Sequence, residues 1–144
     1  MIGVLIVTHG RFGEALLESA GMLVSDLEQV RTVSFLPGQG VEDLEVAVGD
    51  ALRELGDSDG ILALVDIPGG TPARVLGAVT LQRSDIELVS GVNLAMLVEV
   101  LFARLSATLP DLVGMAVRGG WDGIRDLGAA IRHEAAAGGG VEGN

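Results

Sequence analysis

Short, unbroken apolar runs alternate along this chain with longer segments in which apolar residues recur every three or four positions. The first pattern is that of a strand buried on both faces, the second that of an amphipathic helix. Ile2 to Val7 predicts a strand that ends at Thr8-His9-Gly10. Phe12 to Val24 predicts a helix, with Phe12, Leu16, Leu17, Ala20, Met22, Leu23 and Val24 roughly at helical spacing. Gln29 to Leu36 predicts a second strand, stopped by Pro37-Gly38. A second helix opens at Val41 and ends near Gly56, burying Leu44, Val48, Ala51, Leu52 and Leu55. Gly60 to Val65 predicts a third strand, with Asp66 at its carboxyl end. After Ile67-Pro68-Gly69-Gly70, Thr71 is expected to cap a third helix that has Pro72 at its first position and runs to about Leu81. Ile86 to Val89 predicts a fourth strand, and a helix follows Ser90-Gly91-Val92-Asn93 through about Leu105. Leu112 to Val117 predicts a fifth strand, and Gly123 to Ala136 a last helix.

Strands that alternate with helices of this length imply an α/β fold, doubly wound around a mainly parallel sheet covered on both faces. The 144 residues fit one domain, expected over residues 1–136, with a Gly-rich and disordered tail over 137–144. In open α/β sheets the ligand sits beyond the carboxyl ends of the strands, where strand order reverses. That rule turns His9, Asp66 and Asn93 into candidates for one site.

Composition removes alternatives. The formal charge is -11, from twenty acidic and nine basic residues, which argues against nucleic acid or an anionic bilayer as partner. All nine basic residues are arginine, and the chain has neither lysine nor cysteine. A Schiff-base lysine, a phosphate-binding loop of the G-x-x-x-x-G-K type, a thiolate nucleophile, a disulfide framework and a cysteine-ligated zinc are thereby excluded. The apolar run at the amino terminus has no basic flank and is too short to span a bilayer, so a cytoplasmic location is expected. Aromatic residues are 3% of the chain, so the core is aliphatic; Met22, Met96 and Met115 are expected in it, with Trp121 as a packing anchor.

Two histidines remain. His133, beside Glu134 on the last helix, reads as exposed and structural. His9 is either a strand-capping hydrogen-bond partner or a nucleophile, and Gly10 beside it leaves room for the imidazole to work. Asp66 either caps the next helix or holds one ring nitrogen of His9 as N–H, leaving the other nitrogen's lone pair free. Gly69-Gly70-Thr71 leads into a helix N-terminus, where backbone N–H groups and the helix dipole suit a phosphate. Arg11 and Arg74 are either contacts for that phosphate or for a partner, or solvated surface arginines. No set of residues resembles a metal site, and no cofactor is expected.

These pieces in this order resemble the mannose-type enzyme IIA family of the bacterial sugar phosphotransferase system. Val4-Leu5-Ile6-Val7-Thr8-His9-Gly10 is similar to the family's phosphohistidine motif. Phe35-Leu36-Pro37-Gly38, Leu64-Val65-Asp66 with Gly69-Gly70-Thr71-Pro72, and Ser90-Gly91-Val92-Asn93-Leu94-Ala95-Met96-Leu97 follow in the family's order, and the likeness spans about residues 1 to 132. The resemblance implies a cytoplasmic phosphocarrier in which His9 takes a phosphoryl group from the histidine phosphocarrier protein HPr. It would pass the group to a histidine of a separate IIB protein, for sugar phosphorylation at the membrane components IIC and IID. It implies that Asp66 orients His9 and that Thr71 supplies the loop hydroxyl. It also implies a homodimer that exchanges a last antiparallel strand, for which Leu112 to Val117 is the candidate. Ala73-Arg74 departs from the Phe-Asn common in the family, and Pro68 removes one N–H from the loop.

Other classes fit less well. Histidine phosphatases also begin with a strand and a His-Gly pair, but they carry arginine where this chain has Thr8 and use a second histidine that His133 is poorly placed to be. A chelatase-like metal site at His9 would have too few ligands. A module that is phosphorylated for regulation and passes nothing on is the third alternative.

Overall fold

The computed structural model describes the backbone of residues 1–142 and the side chains of residues 1–138. Four strands, β1 (Gly3–His9), β2 (Val30–Phe35), β3 (Ile61–Val65) and β4 (Ile86–Ser90), form one sheet in the order β2-β1-β3-β4, and every pairing is parallel. The helices are α1 (Phe12–Ala20), α2 (Val41–Glu54), α3 (Thr71–Gln82), α4 (Leu94–Ala103), α5 (Leu109–Asp122) and α6 (Leu127–Glu142).

The unbroken apolar character of β1 and β3 follows from burial on both faces. Side chains alternate across a strand, so Val4 and Ile6 of β1 join Leu62 and Leu64 of β3 on one face. There they meet Leu16 and Ala20 of α1, Leu97 and Leu101 of α4, and Leu112 and Ala116 of α5. Leu5 and Val7 join Ala63 and Val65 on the other face, against Leu44 and Val48 of α2 and Val75 and Leu76 of α3. Strand order runs one way from β1 to β2 and the other way from β1 through β3 to β4. The reversal therefore lies between β1 and β3, whose carboxyl ends carry His9 and Asp66.

Arg104, just after α4, ties this layer to the chain's start. Its buried guanidinium donates to the carbonyls of Ile2 (3.3 Å) and Asp26 (3.1 Å), while Nε meets no acceptor among the described residues. Burial lowers its pKa, and the nearby Asp26 and Glu28 carboxylates oppose that shift. No helix among the described residues is long and apolar enough to cross a membrane.

The structure corrects several expectations. Leu112 to Val117 is not a strand but the centre of α5, so it is not an antiparallel strand available for exchange. A short apolar run does not by itself distinguish a strand from a buried helix. Here Leu112, Ala116 and Gly120 are buried at a four-residue spacing, and the start signals lie just upstream. The Thr108 hydroxyl accepts the Asp111 N–H at 3.3 Å, and Pro110 sits in the first turn, where its missing N–H costs nothing. Small residues then let α5 lie close to α4: a Cβ on Gly119 or Gly120 would come within 3.0 Å of Glu99 or Met96 side-chain atoms.

Helix α1 stops at Ala20 rather than Val24, because the chain turns at Gly21 to Leu23 and returns only Val24 to the core. Met22, expected inside, is 87% exposed in that turn. Trp121 lies near the end of α5, 73% exposed, and packs no core. The last helix begins at Leu127 rather than Gly123, and its backbone is helical through Glu142. Residues 143 and 144 of the Gly-rich tail lie outside the described residues.

Candidate functional site

The site is assembled by the end of β1 and the loop that follows β3. Thr8, the last buried residue of β1, accepts the Gly13 N–H on Oγ1 at 2.9 Å. This hydroxyl satisfies a donor in the first turn of α1, whose N-cap residue Arg11 offers no side-chain bond. Gly10 turns the chain at φ +60°, and its N–H donates to the Phe35 carbonyl at 2.8 Å. His9 is thereby fixed at the rim of the sheet with a half-exposed side chain.

Asp66 reaches His9 from the end of β3. Its Oδ2 accepts both the His9 backbone N–H (2.9 Å) and the ring Nδ1–H (2.8 Å), while Oδ1 accepts the Ile67 N–H (3.0 Å). Burial pushes this carboxyl pKa up, but the bonds from the His9 N–H, the His9 ring and the Ile67 N–H outweigh it. The net effect holds Asp66 below the usual aspartate value, ionised at neutral pH. A carboxylate can only accept, so Nδ1 carries a proton, and in the neutral imidazole Nε2 carries the lone pair.

That Nε2 faces the glycine loop. Gly70 has φ +99° and ψ 178°, a conformation essentially restricted to glycine. A Cβ built there would lie 3.0 Å from Cε1 and 3.2 Å from Nε2 of His9. Gly70, and not Thr71, is the N-cap of α3; Thr71 is the first helical residue and Pro72 the second. The expected side-chain cap is therefore absent, and the backbone end of α3 is left uncovered. Among the described residues, the N–H groups of Gly69, Gly70 and Thr71 meet no acceptor. Three such donors at a helix N-terminus beside the His9 ring make this end of α3 a candidate anion site.

The remaining candidates are placed differently. Arg11 is exposed and faces Glu14 at 3.5 Å. Arg74 meets no carboxylate among the described residues; it donates to the Thr71 hydroxyl at 3.4 Å and lines a groove between α2 and α3 of about 470 Å³. Asn93 caps α4 by accepting the Met96 N–H at 2.8 Å and donates to the Gly120 carbonyl at 3.2 Å, so both ends of its amide serve α4 and α5. His133 is exposed on α6. Among the described residues, no group of three His, Cys, Asp or Glu side chains could hold a metal ion. One neighbour of the imidazole has no role assigned from the sequence: the Phe35 ring lies edge to face with His9, centroids 6.1 Å apart. Its signals in the sequence are its place at the end of the second apolar run and its position at the head of the Phe35-Leu36-Pro37-Gly38 stretch.

Comparison with known proteins identifies the family. Residues 3–117 match the family model EIIA-man, described as the PTS system fructose IIA component. The chain is 36% identical over 136 residues to the "PTS system mannose-specific EIIAB component" of Escherichia coli, and spans 42% of that longer protein's length. It is 36% identical over 113 residues to the "PTS system fructose-specific EIIA component" of Bacillus subtilis, covering 78% of this chain and 77% of that one. Its fold matches the crystal structure of a phosphotransferase system EIIA component from Streptococcus agalactiae with a TM-score of 0.81 and 34% identity, over 90% of this chain and 99% of that one. A motif match across most of the chain, a shared fold and a His-Asp pair at the topological switch point converge, and the chain belongs to the mannose-type enzyme IIA family of the sugar phosphotransferase system.

Proposed function

We propose that this protein is a phosphocarrier: His9 accepts a phosphoryl group from a phosphohistidine of HPr and passes it to a histidine of a IIB protein or domain. The observation that carries this reading is the 2.8 Å bond between Nδ1 of His9 and Asp66, with Nε2 turned toward the uncovered N-terminus of α3. The Nε2 lone pair attacks phosphorus in line with the donor's P–N bond. As the new P–N bond forms, the old one breaks and its electron pair returns to the donor nitrogen. The Nδ1 proton stays where it is, and the positive charge that develops on the imidazole is balanced by Asp66. Onward transfer reverses these steps with the IIB histidine as nucleophile.

On a chain of charge -11, the phosphoryl oxygens need local positive potential, which the N–H groups of Gly69, Gly70 and Thr71 and the α3 dipole supply. Pro68 contributes no N–H. The Thr71 hydroxyl, with Arg74 beside it, extends the same rim toward the groove between α2 and α3, a surface for partner contact. The acidic surface favours a basic donor, so association is steered by charge and weakened by salt. The protein works in the cytoplasm, and its phosphoryl group ends on a sugar at the membrane components IIC and IID. A homodimer would cover Val117, Trp121, Ile124, Leu127 and Ile131, which stand exposed on and beside α5 and α6 in the single chain.

The test is to incubate the protein with phosphoenolpyruvate, enzyme I and HPr and look for acid-labile, base-stable phosphate. Label is expected on His9 and none on His9→Ala; labelling that survives that substitution overturns the assignment. Adding a IIB protein should discharge the label, and retention with every cognate IIB would point to a regulatory module instead.

A further inference from the structure

We propose that Phe35 is a positioning residue for the phosphoryl-accepting imidazole, acting with Asp66 to hold Nε2 of His9 toward the Gly69–Thr71 loop. The proposal rests on the reading of His9 as phosphoryl acceptor. A hydrogen bond from Nδ1 to Asp66 fixes one point of the ring and leaves the imidazole free to swing about it. A second contact is needed on another edge. The register of β1 with β2 places Phe35 directly beside His9, and the bond from the Gly10 N–H to the Phe35 carbonyl locks the two strand ends together. The rings stand at 71° with centroids 6.1 Å apart, within the range of an edge-to-face aromatic pair.

Phe35 is itself anchored, because it packs on the cluster formed by Leu5, Val7, Val33 and Leu44. It is a wall fixed to the core, not a mobile surface ring. Gly70 lies beside the remaining edge, where a Cβ built on it would stand 3.0 Å from Cε1 and 3.2 Å from Nε2. The imidazole is thus held at two places, by a carboxylate and by an aromatic ring, with the glycine loop beside its Cε1–Nε2 edge. Phe35 offers no hydrogen-bonding group, so it restricts the ring without competing for either nitrogen. Misplacing a nucleophile by about 1 Å costs on the order of a hundredfold in rate, which sets the scale for losing one wall.

The experiment compares wild type with Phe35→Ala, Phe35→Leu and Phe35→Tyr in the full chain. Two readouts are used: long-range proton–nitrogen NMR of His9, and phosphorylation by HPr and by the small donor phosphoramidate. Wild type and Phe35→Tyr should show one His9 ring species with the proton on Nδ1. Phe35→Ala should show exchange-broadened ring signals and about ten- to a hundredfold slower phosphorylation by both donors. Phe35→Leu keeps the apolar volume and the fold but loses the planar edge, and should fall between. Wild-type rates and unchanged ring signals in both the Ala and Leu variants overturn the proposal. So does a defect seen only as a raised KM for HPr, which would make Phe35 a docking residue. If wild type accepts no phosphoryl group from either donor, the phosphocarrier reading fails, while the NMR comparison still decides whether Phe35 holds the ring.

Discussion

Substituting Gly70 by alanine should damage both stability and phosphoryl acceptance, whereas the same change one residue earlier should not. At φ +99° and ψ 178°, Gly70 occupies a region in which a side chain costs about 1–3 kcal/mol. Alanine also stiffens the unfolded chain, which returns about 0.4–1 kcal/mol. The net loss is about 1–2 kcal/mol, or roughly 3–6 °C in Tm for a domain of this size. The functional effect has a separate origin. The new methyl would stand 3.0 Å from Cε1 and 3.2 Å from Nε2 of His9, and Asp66 prevents the ring from retreating freely. The methyl therefore occupies space that a phosphoryl group on Nε2 requires, and the transfer rate should fall by about a hundredfold or more.

Gly69 is the control: its φ is not positive, and a Cβ there meets nothing within 4 Å. Gly69→Ala should be as stable as wild type or slightly more so, through the unfolded-state effect alone. Urea denaturation and phosphorylation by HPr, run on both variants, measure the two effects. Equal stability and equal rates for the two variants would refute the reasoning about the loop.

Asp66→Asn should slow phosphorylation by at least about tenfold with the fold retained, because three N–H donors converge on the two carboxylate oxygens and an amide cannot accept from all of them; an unchanged single-turnover rate would remove the orienting role. The same carboxylate makes stability depend on pH. Its folded pKa lies below the unfolded value of 3.8, so its stabilisation is full above that value and is lost as pH falls through the folded pKa. The stability gap between wild type and Asp66→Asn, followed by denaturation between pH 6 and acid, should be constant near neutrality and close only below about pH 4; a gap that stays open under strong acid would contradict this sign. Thr8→Val keeps the shape of a fully buried residue but removes the acceptor for the Gly13 N–H, and should cost about 1–2 kcal/mol. Denaturation that shows no loss would mean that the first turn of α1 does not depend on that hydroxyl.

Much of this protein is legible along the chain, and the successes share a cause. Strands β1 and β3 and helix α2 have their environment written into their spacing, since a strand buried on both faces must be apolar throughout. The failures are positions where local pattern is degenerate. Leu112 to Val117 reads as a strand until α4 is seen to need a close-packed helical partner bearing Gly119, Gly120 and Gly123. Met22 shows apolar spacing that continues past Ala20, but the turn at Gly21 exposes it.

The candidate site divides in the same way. Residue types and order alone name His9 as the single histidine at a strand end and Asp66 as the acid closing the other central strand, because covalent chemistry has few residues to choose from here. Their meeting depends on topology: β1 and β3 are adjacent and parallel, so residues 57 positions apart finish on the same edge. The direction of Nε2, the uncovered end of α3 beside it and the Phe35 ring against it depend on register and on the conformation of one glycine. Periodicity encodes which residues are buried. Only the packing of strands against one another fixes which atoms face each other, and phosphoryl transfer depends on that.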